Sequence, residues 1–203
     1  MKILYKPANL FFDRAIRQLA RCQSVLEIGS GKHFGKELSP YMDLFRQSMY
    51  KTLDISEEIH PDIVDDICHS QLADASVDGI IAKSVLEHVV NPKAAVDEMY
   101  RILKPRGKFL GYVPFLHKYH GTQRYRDYYR FTIDAIELLF GAFTLLEVQA
   151  ANGVLTSLTY SLPLVLPGKI VSFAERMDNL LQRLLPKVKN YTNSTGFYIY
   201  AEK

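Results

Sequence analysis

Residues 25–31, Val-Leu-Glu-Ile-Gly-Ser-Gly, join a short apolar run to a turn of small residues. The apolar run over 24–28 is typical of a buried strand. The turn needs glycine because its backbone dihedrals exclude most side chains and because a ligand must approach the backbone closely. The N–H groups of such a turn, and of a helix that follows it, favour an anionic group of the ligand. The stretch therefore predicts a strand–turn–helix unit with a ligand site at the turn.

Two phosphate-binding motifs do not fit the residues that follow this turn. A dinucleotide-binding turn needs a third glycine at position 34, where this chain has Phe34. A P-loop needs Ser or Thr after the Gly-Lys pair, whereas Gly31-Lys32 is followed by His33. Glu27, two residues before the first glycine, would also repel a phosphate. The turn therefore favours a ligand without a pyrophosphate.

Acidic residues recur at the ends of three successive predicted strands, at Glu27, Asp54 and Asp66. In an open parallel sheet, these strand ends form one crevice. Asp54 would accept hydrogen bonds from both hydroxyls of a ribose, and Asp66 would accept from the exocyclic amine of adenine. Strand alternation sends only one of the adjacent residues Asp65 and Asp66 into the crevice, and we favour Asp66. A crevice with three carboxylates suits a ligand that carries positive charge.

Short apolar runs alternate with segments of helical spacing along the whole chain. This alternation is typical of parallel strand–helix–strand units. The predicted fold is therefore α/β, a Rossmann-like doubly wound sheet of about seven strands, mostly parallel with an antiparallel last strand and with helices on both faces. The predicted strands are 24–28, 49–54, 62–66, 77–82, 108–113, 143–149 and 196–202, and the predicted helices are 8–20, 35–47, 91–103, 132–140 and 170–185.

Composition places the 203 residues among ordinary folded domains. Lys plus Arg exceed Asp plus Glu by only 3 (25 − 22), which gives no indication of a nucleic-acid partner. The two cysteines follow no zinc-ligand spacing, so we expect no bound metal and a reducing, cytoplasmic location. The apolar stretch 154–173 is broken by polar residues, prolines and a glycine, and it predicts core, lid or interface, not a membrane span. We expect one domain over 1–203, with an N-terminal helix within 1–23.

The order and spacing of six stretches resemble those of class I S-adenosylmethionine-dependent methyltransferases. The resemblance continues weakly through DYYRFT (127–132) and GFYIYAEK (196–203). It implies a small single-domain methyltransferase whose cofactor is S-adenosylmethionine. The six stretches are VLEIGSG (25–31), TLDIS (52–56), DIVDDI (62–67), ASVDGIIAKSVLEHVVNP (75–92), EMYRILKPRG (98–107) and KFLGYVPF (108–115).

The resemblance also implies a role for each matching position. Asp54 would bind the ribose, Ile55 would pack on the adenine ring, and Asp66 with Ile67 would bind the adenine. Lys83 adds a cation near the expected sulfonium and so needs an anionic neighbour. The residues that would line the methionine part of the cofactor are Glu27, Gly29, Ser30 and Gly31.

Two segments, 114–131 and 151–190, are predicted to form a lid or insert at the acceptor site. Histidine is the usual general base near neutral pH, so His117 and His120 are the candidate bases, with Asp127 orienting one imidazole. We expect methyl transfer to a small molecule, with oxygen favoured as the reacting atom. The resemblance of DYYRFT (127–132) to similar chains implies a sugar, a glycan precursor or a similar molecule as the acceptor. The alternatives are an inactive binding or scaffold protein and, less favoured, an RNA methyltransferase. The protein would be a monomer or a homodimer.

Residues 84–88 admit a structural interpretation beside a functional one. Ser84 and Glu87 have the spacing of a capping box, in which each side chain satisfies a backbone N–H at the start of a helix. His88 would then be a packed residue of the first turn. Related sequences also have this segment against the cofactor, so both interpretations stay open.

Overall fold

The computed structural model describes residues 1–4, 8–29, 38–162, 166–184 and 193–203. Ser30 and Gly31 lie outside the described residues, as do Lys32, His33 and the beginning of the helix predicted over 35–47. Most of the predicted insert 151–190 lies within the described residues.

The core of the fold is an eight-stranded mixed sheet. Its order is β1-β7-β8-β6-β5-β2-β3-β4, and β8 runs antiparallel to both of its neighbours while the other pairs are parallel. The predicted α/β class and the antiparallel last strand are confirmed. The strands are β1 (Lys2–Leu4), β2 (Ser24–Ile28), β3 (Met49–Asp54), β4 (Ile63–Val64), β5 (Val77–Lys83), β6 (Leu103–Pro114), β7 (Leu145–Ala150) and β8 (Gly196–Glu202).

Helices cover both faces of this sheet. Alternate side chains of each strand enter opposite cores, so Leu26 and Ile80 pack with α2 and α3 while Val25 and Ile81 pack with α1. None of the helices among the described residues is long and apolar enough to cross a bilayer. The helices are α1 (Ala8–Leu19), α2 (Pro92–Ile102), α3 (Ile133–Leu139), α4 (Val154–Ser161) and α5 (Gly168–Leu184).

Two of the helix starts follow the capping rules directly. Asn91 accepts a hydrogen bond from the Ala94 amide at 3.1 Å, and Pro92 occupies the first helical position. Thr132 accepts from the Ala135 amide at 3.2 Å in the same way. Local sequence alone therefore sets where α2 and α3 begin.

Four elements differ from the sequence predictions. Helix α4 is one of them, because the sequence analysis predicts no helix within 154–161. The three-residue β1 adds an eighth strand at the sheet edge, where it pairs with β7. In place of the described part of the helix predicted over 35–47, residues Ser39–Phe45 form a 3-10 helix. The sequence analysis places residues 104–107 between a helix and a strand, but in the structure they belong to β6. Arg106 there takes a left-handed conformation (φ +65°), and the pairing of β6 with β5 shifts its register. Such an irregularity absorbs extra residues without ending the strand.

Candidate functional site

The site begins where β2 ends. Gly29 has φ +73°, and its amide donates to the Leu53 carbonyl of β3 at 2.9 Å. A Cβ added at Gly29 would lie 2.6 Å from Cγ2 of Val85, in the segment that follows β5. The dihedral angle, which the sequence predicted, and the close approach of Val85, which it did not, both require glycine here.

A buried carboxylate, that of Glu27, interacts electrostatically with a half-buried amine, that of Lys83, beside this turn. Glu27 is 4% exposed and accepts a 2.7 Å hydrogen bond from the Tyr50 hydroxyl. Burial lowers the pKa of Lys83 to about 8, and the nearby charge of Glu27 opposes that effect. The Lys83 amine also lies 5.2 Å from the centre of the Phe12 ring. Glu27 is thus the anionic neighbour that Lys83 requires, and Tyr50 is a partner that sequence reasoning did not identify.

A cavity lined by described residues opens at this point and has a volume of about 1090 Å³. Glu27, Gly29 and Lys83 belong to its wall, as does His117 from the segment after β6. Side chains of α4 and α5 close the opposite side. Its other polar lining residues include Tyr112, Gln149, Asn152, Thr156, Tyr160, Asp178, Asn179 and Thr195.

The remaining predicted cofactor residues lie at the ends of β3 and β4. Asp54 accepts from the Ser56 amide at 2.9 Å, and Asp66 accepts from the Cys68 amide at 2.9 Å. Ile55 is 70% exposed and free to pack on a ring, whereas Ile67 is 5% exposed and belongs to the core. Ile67 can therefore offer a ligand only its backbone.

The choice between the two neighbouring acids is supported by their hydrogen bonds. Asp65 accepts from the Ser70 hydroxyl at 2.8 Å and from the Gln71 amide at 2.9 Å with one oxygen, and from the Asp66 amide with the other. Its carboxylate is therefore engaged in holding the 65–71 turn. Asp66 remains the better candidate for a ligand contact.

The three candidate catalytic residues fall into two positions. His117 lines the cavity, and its Nδ1 lies 2.9 Å from the Lys118 carbonyl. His120 packs edge-on against His117, with ring centres 4.9 Å apart, and lies outside the described cavity lining. Asp127 accepts from the His120 amide at 2.8 Å and lies 3.2 Å from its Nδ1, so it orients His120 and not His117.

Arg130 holds the segment 114–131 in its conformation through hydrogen bonds from its guanidinium. Its guanidinium donates to both oxygens of Asp127, at 2.5 and 2.7 Å, and to the carbonyls of His117 and Lys118 at 3.0 and 2.8 Å. The hydrogen bonds from Arg130 hold the pKa of the Asp127 carboxyl well below its usual range. Arg130 therefore shapes the segment and is not available as a free anion-binding group.

The capping-box prediction for residues 84–87 is wrong. Ser84 takes a left-handed conformation (φ +53°), a turn follows it, and the next helix begins at Pro92. Glu87 is consequently released from a capping role, and its side chain is fully buried beside the imidazoles of His88 and His120. Burial raises the pKa of Glu87 to about 7. This cluster joins chain segments 32 residues apart, so no local sequence signal could reveal it.

The wall formed by α4 and α5 is held by polar contacts. Asp178 of α5 accepts from the amides of Leu155 and Thr156 at 3.0 and 2.8 Å, which satisfies the N-terminus of α4. The Asn152 side chain accepts from the Thr195 amide at 2.9 Å and so ties this wall to β8. The helices that face the cavity are thereby joined to each other and to the sheet.

Comparisons with known proteins agree with this architecture. Residues 22–111 match the family described as "Methyltransferase domain". No curated protein matches the chain.

Solved structures of methyltransferases share the fold at low sequence identity. A SAM-dependent methyltransferase from Archaeoglobus fulgidus aligns with a TM-score of 0.59 and 14% identity, over 97% of this chain and 94% of that one. A second structure is a 1,6-didemethyltoxoflavin-N1-methyltransferase from Burkholderia thailandensis with bound 1,6-didemethyltoxoflavin and S-adenosylhomocysteine. It aligns with a TM-score of 0.57 and 15% identity, over 98% of this chain and 77% of that one. Phosphoethanolamine N-methyltransferase 2 of Haemonchus contortus, in complex with S-adenosyl-L-methionine, aligns with a TM-score of 0.56 and 17% identity, over 94% of this chain and 52% of that one.

The matched segment 22–111 contains the glycine turn, the acidic strand ends and β5, which are the features on which the sequence resemblance depends. The sheet order and the antiparallel β8 extend the agreement to the rest of the described fold. Residues 22–111 therefore match a methyltransferase domain, and the described fold is the one found in solved S-adenosylmethionine-dependent methyltransferases.

Proposed function

We propose that this protein is an S-adenosylmethionine-dependent methyltransferase that O-methylates a hydroxyl-bearing small molecule of the sugar or glycan-precursor class. The observation that carries the proposal is the cavity, in which Glu27 and Gly29 share the wall with His117 and with hydroxyl and amide side chains. Pockets for one drug-sized ligand span about 300–1,000 Å³, so a volume of about 1090 Å³ suits a small acceptor together with the methionine part of the donor. Asp54 and Asp66, which would bind the ribose and the adenine, lie outside the lining of this cavity. A similar structure likewise holds a small molecule, 1,6-didemethyltoxoflavin, beside S-adenosylhomocysteine.

The described residues fit the methyl donor. Gly29, which lines the cavity, would contact its methionine part, together with Ser30 and Gly31 of the matched motif. Asp54 would bind the ribose hydroxyls, and Ile55, Asp66 and the backbone of Ile67 would bind the adenine. Buried Glu27 supplies negative charge where a sulfonium is expected, and Lys83 moderates that charge. Bound S-adenosylmethionine supplies an electrophilic methyl group on a positively charged sulfur.

We assign the general base to His117. Its Nδ1 lies 2.9 Å from the Lys118 carbonyl, so Nδ1 carries the proton and Nε2 has a free lone pair. This Nε2 would take the proton of an acceptor hydroxyl as the oxygen attacks the methyl carbon. A base of this kind contributes about 10²–10⁴-fold to the rate. His120 and Asp127 would act behind His117, as positioning residues.

The wall of α4 and α5 would orient the acceptor and exclude water. Its hydroxyl and amide groups, on Thr156, Tyr160 and Asn179, can hydrogen-bond several hydroxyls of one molecule. Correct alignment of a nucleophile with a leaving group accounts for up to about 7–11 kcal/mol of a barrier. A polyhydroxylated acceptor is therefore better suited to this wall than an apolar one.

Labelled-methyl transfer tests the proposal with panels of sugars, sugar phosphates, phenols, amines and RNA. We expect transfer to a sugar-class hydroxyl, and we expect His117→Ala to slow it by about 10²–10⁴-fold while the affinity for S-adenosylhomocysteine is unchanged. Tyr119→Phe, in the same segment, is the matched control and should retain activity. Transfer to RNA or an amine alone, or an unchanged rate in His117→Ala, would refute the assignment.

A further inference from the structure

Glu87 has a fully buried carboxylate beside residues 117–131, and hydrogen bonds do not fully balance its charge. The Glu87 side chain has no exposed surface, and among the described residues neither of its oxygens meets a donor at full hydrogen-bond geometry. The nearby Ser84 hydroxyl and Arg130 guanidinium favour its charged form, whereas Asp127 opposes it. Burying a charge of this kind costs several kcal/mol unless it is paired or coordinates a metal. A cation bound beside Glu87 would therefore stabilise the charged form that burial disfavours.

Two imidazoles present the same ring nitrogen to this carboxylate. Nε2 of His120 lies 3.6 Å from Oε1 of Glu87, and Nε2 of His88 lies 3.9 Å from the same oxygen. One ligand atom from each of the three residues can be chosen so that all lie within 4.8 Å of one another. Nitrogen and oxygen ligands around a tetrahedral zinc ion, with bonds of about 2.0–2.1 Å, lie roughly 3.3 Å apart. Small side-chain movements would therefore close the site around one ion.

The opposite nitrogen of each ring is already engaged. Nδ1 of His88 lies 2.6 Å from the Arg126 carbonyl, and Nδ1 of His120 lies 3.2 Å from the Lys118 carbonyl and 3.2 Å from Asp127. Because these acceptors favour a proton on Nδ1, the lone pair of each imidazole is left on Nε2 and faces Glu87. Metal-binding histidines are held in this way by carbonyls and carboxylates in their surroundings.

We propose that Glu87, His88 and His120 bind a divalent transition-metal ion, for which Zn²⁺ is the probe. Two imidazole nitrogens and one carboxylate are a ligand set that zinc uses when a fourth position stays open for water or substrate. Mg²⁺ and Ca²⁺ prefer all-oxygen sites, so the two imidazoles argue against them. The negative charge of Glu87 would then be neutralised directly by the ion.

The ion would join two segments that already touch through their backbones. The Tyr128 amide donates to the Glu87 carbonyl at 2.8 Å, and the Tyr129 hydroxyl donates to the Val90 carbonyl at 2.7 Å. His120 in turn packs on His117, which lines the cavity. Metal binding would therefore hold the segment that carries His117 against the sheet. This inference does not depend on which acceptor is methylated.

The test uses tag-free, full-length protein that has been treated with a chelator, and it includes no methyl donor. Calorimetric titration should show one Zn²⁺ per chain, and Co²⁺ should give the visible absorption bands of a tetrahedral site. Glu87→Gln and His88→Gln should each weaken Zn²⁺ binding by about 100-fold or more, since changes outside the ligand set alone cost about 10–100-fold. His69→Gln changes an exposed histidine outside the cluster and should bind as the wild type does.

Two further measurements keep the outcome clear. Zn²⁺ should raise the melting temperature of the wild type and of His69→Gln but not of the cluster variants. Circular dichroism of each variant, after treatment with the chelator, shows whether it is folded. If Glu87→Gln does not fold, His88→Gln provides the test of the cluster. Absence of stoichiometric binding by the wild type, or equal affinity in a folded cluster variant, would overturn the proposal. Either result would leave methyl-transfer activity to be measured separately.

Discussion

Substitution of Gly29 by alanine tests the geometry of the turn after β2. The added Cβ would lie 2.6 Å from Cγ2 of Val85, at a backbone φ of +73°. Left-handed strain costs about 1–2 kcal/mol for a residue with a Cβ, and the clash adds about 1–3 kcal/mol of overpacking. Gly29→Ala should therefore reduce the free energy of unfolding by about 2–5 kcal/mol, as measured by urea titration with linear extrapolation.

A double-mutant cycle separates the two contributions. Val85→Ala removes the methyl group that the new Cβ would strike, but it leaves the dihedral angle as it is. In that background Gly29→Ala should cost only about 1–2 kcal/mol, which gives a coupling energy of about 1–3 kcal/mol between the two positions. A loss below about 0.5 kcal/mol for Gly29→Ala, or an equal loss in both backgrounds, would show that this close approach does not determine the glycine.

Three further predictions concern the carboxylates and their neighbours. Asp54→Ala should weaken S-adenosylmethionine binding by about 1.5–3 kcal/mol in calorimetry, from the loss of charged hydrogen bonds, and an unchanged affinity would contradict its assignment to the ribose. Protonated Lys83 repels a sulfonium, so the affinity for S-adenosylmethionine relative to S-adenosylhomocysteine should rise as the pH passes through about 8, and this rise should be absent in Lys83→Met. Tyr50→Phe removes the 2.7 Å hydrogen bond to Glu27 and should lower the free energy of unfolding by about 1.5–3 kcal/mol in a urea titration, whereas a change within about 0.5 kcal/mol would show that Glu27 does not need it.

The predictable part of the fold is the part that depends on local pattern. Both faces of β2 and β5 carry buried apolar side chains, so a mostly apolar run indicates a strand buried on both sides, as Leu26 and Val25 show by packing into opposite cores. The caps at Asn91 and Thr132 act within three residues and can be read directly from the sequence. The acidic strand ends were likewise identifiable, because their spacing follows from the parallel order of the strands.

The unpredicted features depend on contacts between distant segments or on uncommon backbone conformations. The left-handed conformation of Ser84 defeats a capping motif that is correct by spacing. Pairing of β2 with β3 brings Tyr50 to Glu27, and the fold of the 117–131 segment brings His120 to Glu87. Sequence periodicity carries no signal for contacts between distant segments. The sequence therefore suggested that His88 is a packed residue, whereas the structure places it in a polar cluster with Glu87 and His120.

The most direct test of the central claim is a crystal structure of the protein with S-adenosylhomocysteine. The account predicts that the methionine part lies against Gly29, that the ribose hydroxyls lie within hydrogen-bond distance of Asp54, and that the sulfur faces the cavity side of Glu27 and His117. A nucleoside bound away from the ends of β2, β3 and β4 would contradict the account.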